Sequence, residues 1–145
     1  MGKVTIDSPS VQSHLTILQS VITRMATNSA SCKTWCVSLV SAIIVIIADK
    51  VKPDYVWISV IPIILFLLLD SYYLALERQF RSVYNDFIRK LHSDNATVED
   101  VFFVAPCTGT GATSLDIVKA SGSIAIWPFY GLLALMLFIV RFFVL

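Results

Sequence analysis

The carboxylate that most invites a functional interpretation is Asp70, at the end of a long uncharged stretch and close to Tyr72 and Tyr73. An acid in or near a membrane usually pairs with a cation or lines water. Asp70 is therefore either part of an ion path or switch, or an interfacial acid bonded to Lys33, Arg78 or water. Both interpretations remain open at the level of sequence.

A second candidate is the Gly/Thr-rich segment 106–114, which is expected to form a loop. Its Thr108, Gly109, Thr110 and Gly111 could offer backbone N–H groups to a phosphate, as glycine loops do. The segment lacks the lysine and the spacing of the phosphate-binding pattern GxxxxGK[ST]. It is read either as a connector or partner contact, or as a nucleotide-binding loop.

The cysteines and histidines predict no further chemistry. Cys32 and Cys36 are four residues apart, which places them on one helix face, and Cys107 makes the number odd. His14 and His92 have no cysteine or carboxylate pair at metal-ligand spacing. We expect no metal, no cofactor, no catalytic residue and no enzymatic activity.

Composition places these residues in a membrane protein. Hydrophobic residues make up 57% of the 145-residue chain and charged residues 14%, whereas soluble domains average about 45–50% and about 25%. The apolar residues form three continuous blocks, rather than recurring at the regular intervals of helices or strands that bury one face in a soluble core. The net charge of +1 provides no field that would attract nucleic acid, so no nucleic-acid partner is expected.

The predicted fold is an all-α integral membrane protein with three transmembrane helices, an N-terminal amphipathic helix and a long cytoplasmic extension of the second span. Asn28–Ser31 is expected to interrupt the helical pattern between the first two segments. Pro62 and Pro128 are expected to kink the second and third spans and could act in gating. The predicted segments are an amphipathic helix at 1–30, a first span at 31–50, the second span with its cytoplasmic extension at 55–92, a short helix and loop at 93–121, and a third span at 122–145.

Two amphipathic stripes lie outside the expected spans. Their apolar residues recur at steps of three and four, which is typical of helices that pack against other helices. Because the stripes can pair within one subunit or between subunits, a homo-oligomer is expected. The positions expected to pack are Leu15, Leu18, Ile22, Leu76, Phe80, Val83 and Phe87.

Charges flanking the spans predict the orientation. More Lys and Arg residues lie on the side of the N-terminus, including Arg24, Arg78 and Lys119, than on the side of Lys50 and Lys52. Cytoplasmic loops carry an excess of these residues. A multi-pass protein of the bacterial inner membrane with a cytoplasmic N-terminus is therefore expected.

The segment LLLDSYYLALERQFR at 67–81, followed by Tyr84, resembles small bacterial membrane proteins found beside anti-phage defence genes. They include SLATT-type proteins and the membrane accessories of RADAR and type VI CRISPR systems. The resemblance covers residues 31–92 and is a pattern of residue types, without a catalytic signature. It implies a non-enzymatic accessory or effector with a cytoplasmic protein partner. The alternatives are a small subunit of a transport or envelope complex, or a nucleotide-gated channel.

Overall fold

The computed structural model describes residues 7–50, 53–106 and 111–144. Throughout these ranges the chain is helical or irregular and contains no strand, which confirms the all-α prediction. The elements are α1 Pro9–Lys50, a 3₁₀ helix Pro53–Ser59, α2 Val60–His92, α3 Val98–Phe102, α4 Ser114–Ser121, α5 Trp127–Ile139 and a π-helical end Val140–Val144.

Helix α1 is one continuous element, so the interruption expected at Asn28–Ser31 does not occur. Weak helix formers lower the local propensity, but packing against a partner helix overrides propensity. Here the Ser29 hydroxyl donates to Asp70 on α2 rather than to its own backbone. The first two predicted segments, 1–30 and 31–50, are therefore joined in a single rod over the described residues.

The two prolines expected to kink the spans both lie in the first turn of a helix. Pro62 is the third residue of α2, directly after the 3₁₀ helix, and Pro128 is the second residue of α5. The first turn of an α-helix has no internal acceptors for its N–H groups, so a proline there removes no hydrogen bond. The expected mid-span kinks are therefore replaced by helix starts.

The end of α2 and the starts of the two short helices that follow it are determined by local sequence. Asp94, with φ 59°, ends α2, and the N–H of Asn95 donates to the Lys90 carbonyl, as in a Schellman motif. Capping boxes at Thr97 with Asp100 and at Thr113 with Asp116 start α3 and α4. One short helix was predicted in segment 93–121, and the structure has two, α3 and α4.

Helices α1 and α2 pack as an antiparallel hairpin with a hydrophobic core near each end. One core lies between α1, α2 and α5 and includes Cys36, Ile63 and Leu133. The other lies at the opposite end, where α3 covers Val11 and Phe87. Among the described residues, two helices are long and apolar enough to cross a membrane by length and composition, Pro9–Ala48 and Tyr55–His92, and Trp127–Phe142 is a shorter apolar helix.

Candidate functional site

Asp70 is the centre of a buried polar cluster where α1 crosses α2. Its side chain is 0% exposed, and the Lys33 ammonium lies 2.6 Å from its Oδ2. The Ser29 hydroxyl donates to Oδ1, and Lys33 also donates to Ser29 Oγ over 3.3 Å. The sequence left Lys33, Arg78 or water as possible partners of Asp70. In the structure Asp70 pairs with Lys33, and Arg78 instead donates to Ser123 at 2.7 Å.

The sequence builds this cluster from helix periodicity. Ser29 and Lys33 are four residues apart, so both project from the same face of α1 towards α2. Tyr130 of α5 is 2% exposed and lies in the hydrophobic core between α1, α2 and α5. A carboxylate held by an ammonium and a hydroxyl of α1 is fixed in position and joins α1 to α2.

The Lys33–Asp70 ion pair links α1 to α2 strongly, because the buried carboxylate of Asp70 is stable only while its partners on α1 are in place. A carboxylate without exposure is stabilised by its cation and its hydrogen bond, and removal of either partner leaves a charge in a low-dielectric environment. Lys33 is different, since its side chain keeps 24% exposure and can reach the surface. The arrangement can therefore hold α1 against α2, and it could release them if the pair were broken.

The predicted packing stripes contact each other within one chain. Leu18 is 0% exposed, Phe87 4% and Leu76 9%. Half-buried positions complete the stripe, and Gln19 Nε2 donates to Tyr84 across the same interface at 3.2 Å. The half-buried positions are Leu15, Ile22, Phe80 and Val83. Of the two pairings that the stripes allowed, the structure shows the one within a subunit.

Of the Gly/Thr segment 106–114, the structure describes Pro106 and the residues from Gly111 onward. Thr108, Gly109 and Thr110 lie outside the described residues. Gly111 has φ +92°, a backbone conformation that favours glycine, and its carbonyl accepts a hydrogen bond of 3.5 Å from Gln79. Gln79 also donates to Asp116 at 3.1 Å. The end of the loop is thus attached to α2 beside the start of α4.

A second polar cluster lies at the opposite end of the hairpin. His14 is 3% exposed and packs its ring edge to face with Phe87, the two centroids being 4.6 Å apart. Burial lowers the pKa of His14, although the Val101 carbonyl and the Asp100 carboxylate act in the opposite direction. Lys90 contacts Asp100 at 2.6 Å, and this hydrogen bond is the main reason that the pKa of Asp100 falls to about 2.

Two salt bridges on α2 join residues three or four positions apart, and a third links α2 to α3. Glu77 and Arg81, four residues apart, form an ion pair of 2.8 Å. Asp86 pairs with Arg89, three residues further on, at 2.8 Å, and Lys90 pairs with Asp100 of α3. The described residues include no group of three His, Cys, Asp or Glu side chains that could hold a metal ion.

Sequence reasoning missed three residues of these clusters. Ser29 was assigned to an interruption, Tyr130 was treated as part of an apolar span, and His14 had no partner in sequence. A signal existed only for Ser29, which shares a helix face with Lys33 at a spacing of four. The contacts of Tyr130 and His14 join elements that are distant in sequence.

Comparison with known proteins adds no relative to this description. No protein-family model, curated protein or solved structure matches the chain significantly.

Proposed function

We propose that this chain is a three-span protein of the bacterial inner membrane, with a cytoplasmic N-terminus, that works as a non-enzymatic accessory or effector in anti-phage defence. The proposal that the protein acts through its conformation rests on the Lys33–Asp70 pair, which joins two helices that are each long enough to cross a bilayer. The defence role is supported by the resemblance of residues 31–92 to defence-associated membrane proteins.

The exposed surface supports three spans. Large apolar side chains cover the outer side of α1, α2 and α5, for example Val45 at 69%, Ile61 at 68% and Leu132 at 62% exposure. Contiguous apolar surface of this kind is rare on soluble monomers and common on lipid-facing helices. In this proposal α1 and α2 cross the bilayer as a hairpin, and α5 returns beside them.

A cytoplasmic partner would find its most apolar contact on α3. Phe102 is 80% exposed and Phe103 66%, at the end of the hairpin that is farthest from the spans. Two neighbouring exposed phenylalanines are unusual on a surface that faces water, and aromatic residues are enriched at protein interfaces. We therefore place the partner contact there.

Self-association would use the lipid-facing side of the spans, because the cytoplasmic stripes are already paired within the chain. An open apolar groove runs between α1 and α5, lined by residues that include Val37, Ser41, Leu132 and Met136. Small and hydroxyl-bearing residues allow close approach of helices in lipid. A second copy seated there would complete an oligomer without disturbing the hairpin.

Native purification in mild detergent tests the assembly, with subunit counting and identification of co-eluting proteins. We expect an oligomer and a cytoplasmic partner that is lost from Phe102→Ser. Ile17→Ser is the matched control, since Ile17 is also apolar and 51% exposed but lies on α1. A monomer that brings down nothing would contradict the proposed assembly.

Phage challenge tests the defence role separately. Cells that carry the native locus should form fewer plaques than cells from which only this gene has been deleted. Lys33→Met should behave like the deletion, because it breaks the pair that joins α1 to α2. Equal plating with and without the gene would refute the defence role and leave the membrane architecture intact.

A further inference from the structure

The apolar spans are too short if the membrane ends at the Lys33–Asp70 pair. The uncharged stretch of α1 beyond Lys33, from Thr34 to Ala48, has a length of about 21 Å. A bilayer hydrocarbon core is about 30 Å thick. The mismatch would apply to both helices of the hairpin, since Asp70 marks the same level on α2.

Both helices continue without another charge beyond the pair. On α1 the next charged residue after Lys33 is Arg24, and the stretch from Met25 to Ala48 has a length of about 35 Å. On α2 the charges after Asp70 begin at Glu77, so Tyr55 to Leu76 spans about 33 Å. Each stretch matches a hydrocarbon core once the two internal charges neutralise each other.

The hairpin register brings the next cations to one level. Lys33 contacts Asp70, Gln19 contacts Tyr84 and His14 contacts Phe87, which fixes the antiparallel alignment of α1 and α2. This alignment places Arg24 level with Arg78. Both side chains are exposed, as is Lys119 on α4. We call Arg24, Arg78 and Lys119 the cationic ring.

Helix α4 lies across α2 at the level of the cationic ring. Asp116, near its start, accepts from Gln79, and Ser123, just beyond its end, accepts from Arg78. Arg78 and Gln79 are adjacent on α2, whereas the residues that they contact, Ser123 and Asp116, are about 10 Å apart along α4 and the turn after it. Helix α4 is therefore oriented across the hairpin axis, in the plane that a membrane surface would occupy.

Apolar side chains are exposed on α4 and in the turn after it, beside the cationic ring. Leu115 and Val118 are 72% and 67% exposed on the side of α4 that faces away from α2. Ile124, in the turn before α5, is 91% exposed, the highest value among the large apolar side chains of the described residues. Such residues fit hydrocarbon or its boundary, and the cations beside them fit anionic headgroups.

We propose that the hydrocarbon of the bilayer extends to the cationic ring, so that the Lys33–Asp70 pair lies inside the membrane rather than at its surface. The inference rests on the proposed three-span architecture and refines it. In lipid, α1 cannot separate from α2 without moving an unpaired charge into hydrocarbon. The pair then holds the hairpin together, and its two charges neutralise each other within otherwise uncharged spans.

Single-cysteine labelling tests the position of the boundary. The background carries Cys32, Cys36 and Cys107 replaced by serine, and each variant is first shown to be monodisperse in detergent. Ala30→Cys and Thr27→Cys probe two exposed positions between the pair and the ring. Ser20→Cys is the aqueous control and Val45→Cys the membrane control. A charged, membrane-impermeant maleimide is applied to vesicles that are opened so that both faces are reached.

We expect Ala30→Cys to react with the maleimide as slowly as Val45→Cys does, at a rate at least tenfold below that of Ser20→Cys. Thr27→Cys should also react more slowly than Ser20→Cys. Labelling of Ala30→Cys and Thr27→Cys at the Ser20→Cys rate, with Val45→Cys protected, would overturn the inference and leave the spans in place. Fast labelling of Val45→Cys as well would refute the spans themselves.

Discussion

Removing the cation of the buried pair should destabilise the hairpin strongly. Lys33→Met leaves the Asp70 carboxylate, which is 0% exposed, without its ion partner. Breaking a buried pair from one side costs about 3–5 kcal/mol. Asp70→Leu should cost less, about 1–3 kcal/mol, because the Lys33 side chain is 24% exposed and its long, flexible stem lets the ammonium move out of the buried site.

The double variant Lys33→Met/Asp70→Leu provides the decisive comparison. Apolar residues of similar volume often replace a buried ion pair without loss of stability, so the double variant should lie within about 1 kcal/mol of the wild type. The two single changes are then strongly non-additive, as expected for side chains in direct contact. Arg89→Met is the matched control, since it breaks an exposed pair with Asp86 and should change stability by about 0–1 kcal/mol.

The assay is equilibrium unfolding from mild-detergent micelles as the fraction of SDS is raised, followed by helical circular dichroism and tryptophan fluorescence. The wild type and the four variants are compared at their unfolding midpoints. If Lys33→Met is as stable as Arg89→Met, or if the double variant loses the sum of the two single losses, the pair does not link α1 to α2 in the way the geometry indicates.

Three further predictions concern the far end of the hairpin. Burial lowers the pKa of His14, so as the pH falls the unfolded chain binds this proton before the folded chain does. The free energy of unfolding should therefore decrease as the pH falls below about 6.5, the pKa of an unperturbed histidine. Melting curves recorded as a function of pH should lose this dependence in His14→Gln. The pKa of Asp100 is lowered from 3.8 to about 2, so its contribution to the free energy of unfolding is complete above about pH 3.8 and is lost towards pH 2. At pH 7, Asp100→Asn should lower the free energy of unfolding by about 1 kcal/mol or more. An unchanged melting temperature would contradict this prediction. Phe87→Ala should cost about 3–5 kcal/mol in the SDS assay, whereas a loss below about 1 kcal/mol would show that the core under α3 is not closed.

The sequence determined the elements of this protein because they follow local rules. Apolar blocks of sufficient length predict long helices, and steps of three and four predict the stripe that contains Leu18 and Phe87. A Thr-x-x-Asp pattern predicts the start of α3 at Thr97, since the two side chains satisfy free N–H groups within one turn. These features need no information from distant parts of the chain.

Tertiary structure decided which alternatives were realised. Asn28–Ser31 is helical because Ser29 finds Asp70, a contact that local propensity does not encode. Pro62 lies at the start of α2 rather than bending it, because the 3₁₀ helix before it packs against α1 with Val56 buried. Lys90 pairs with Asp100 on α3 rather than with Asp86, four residues earlier on its own helix. In each case the choice depends on residues brought together only by the packing of one helix on another, and the free energy of that packing exceeds the small local preferences.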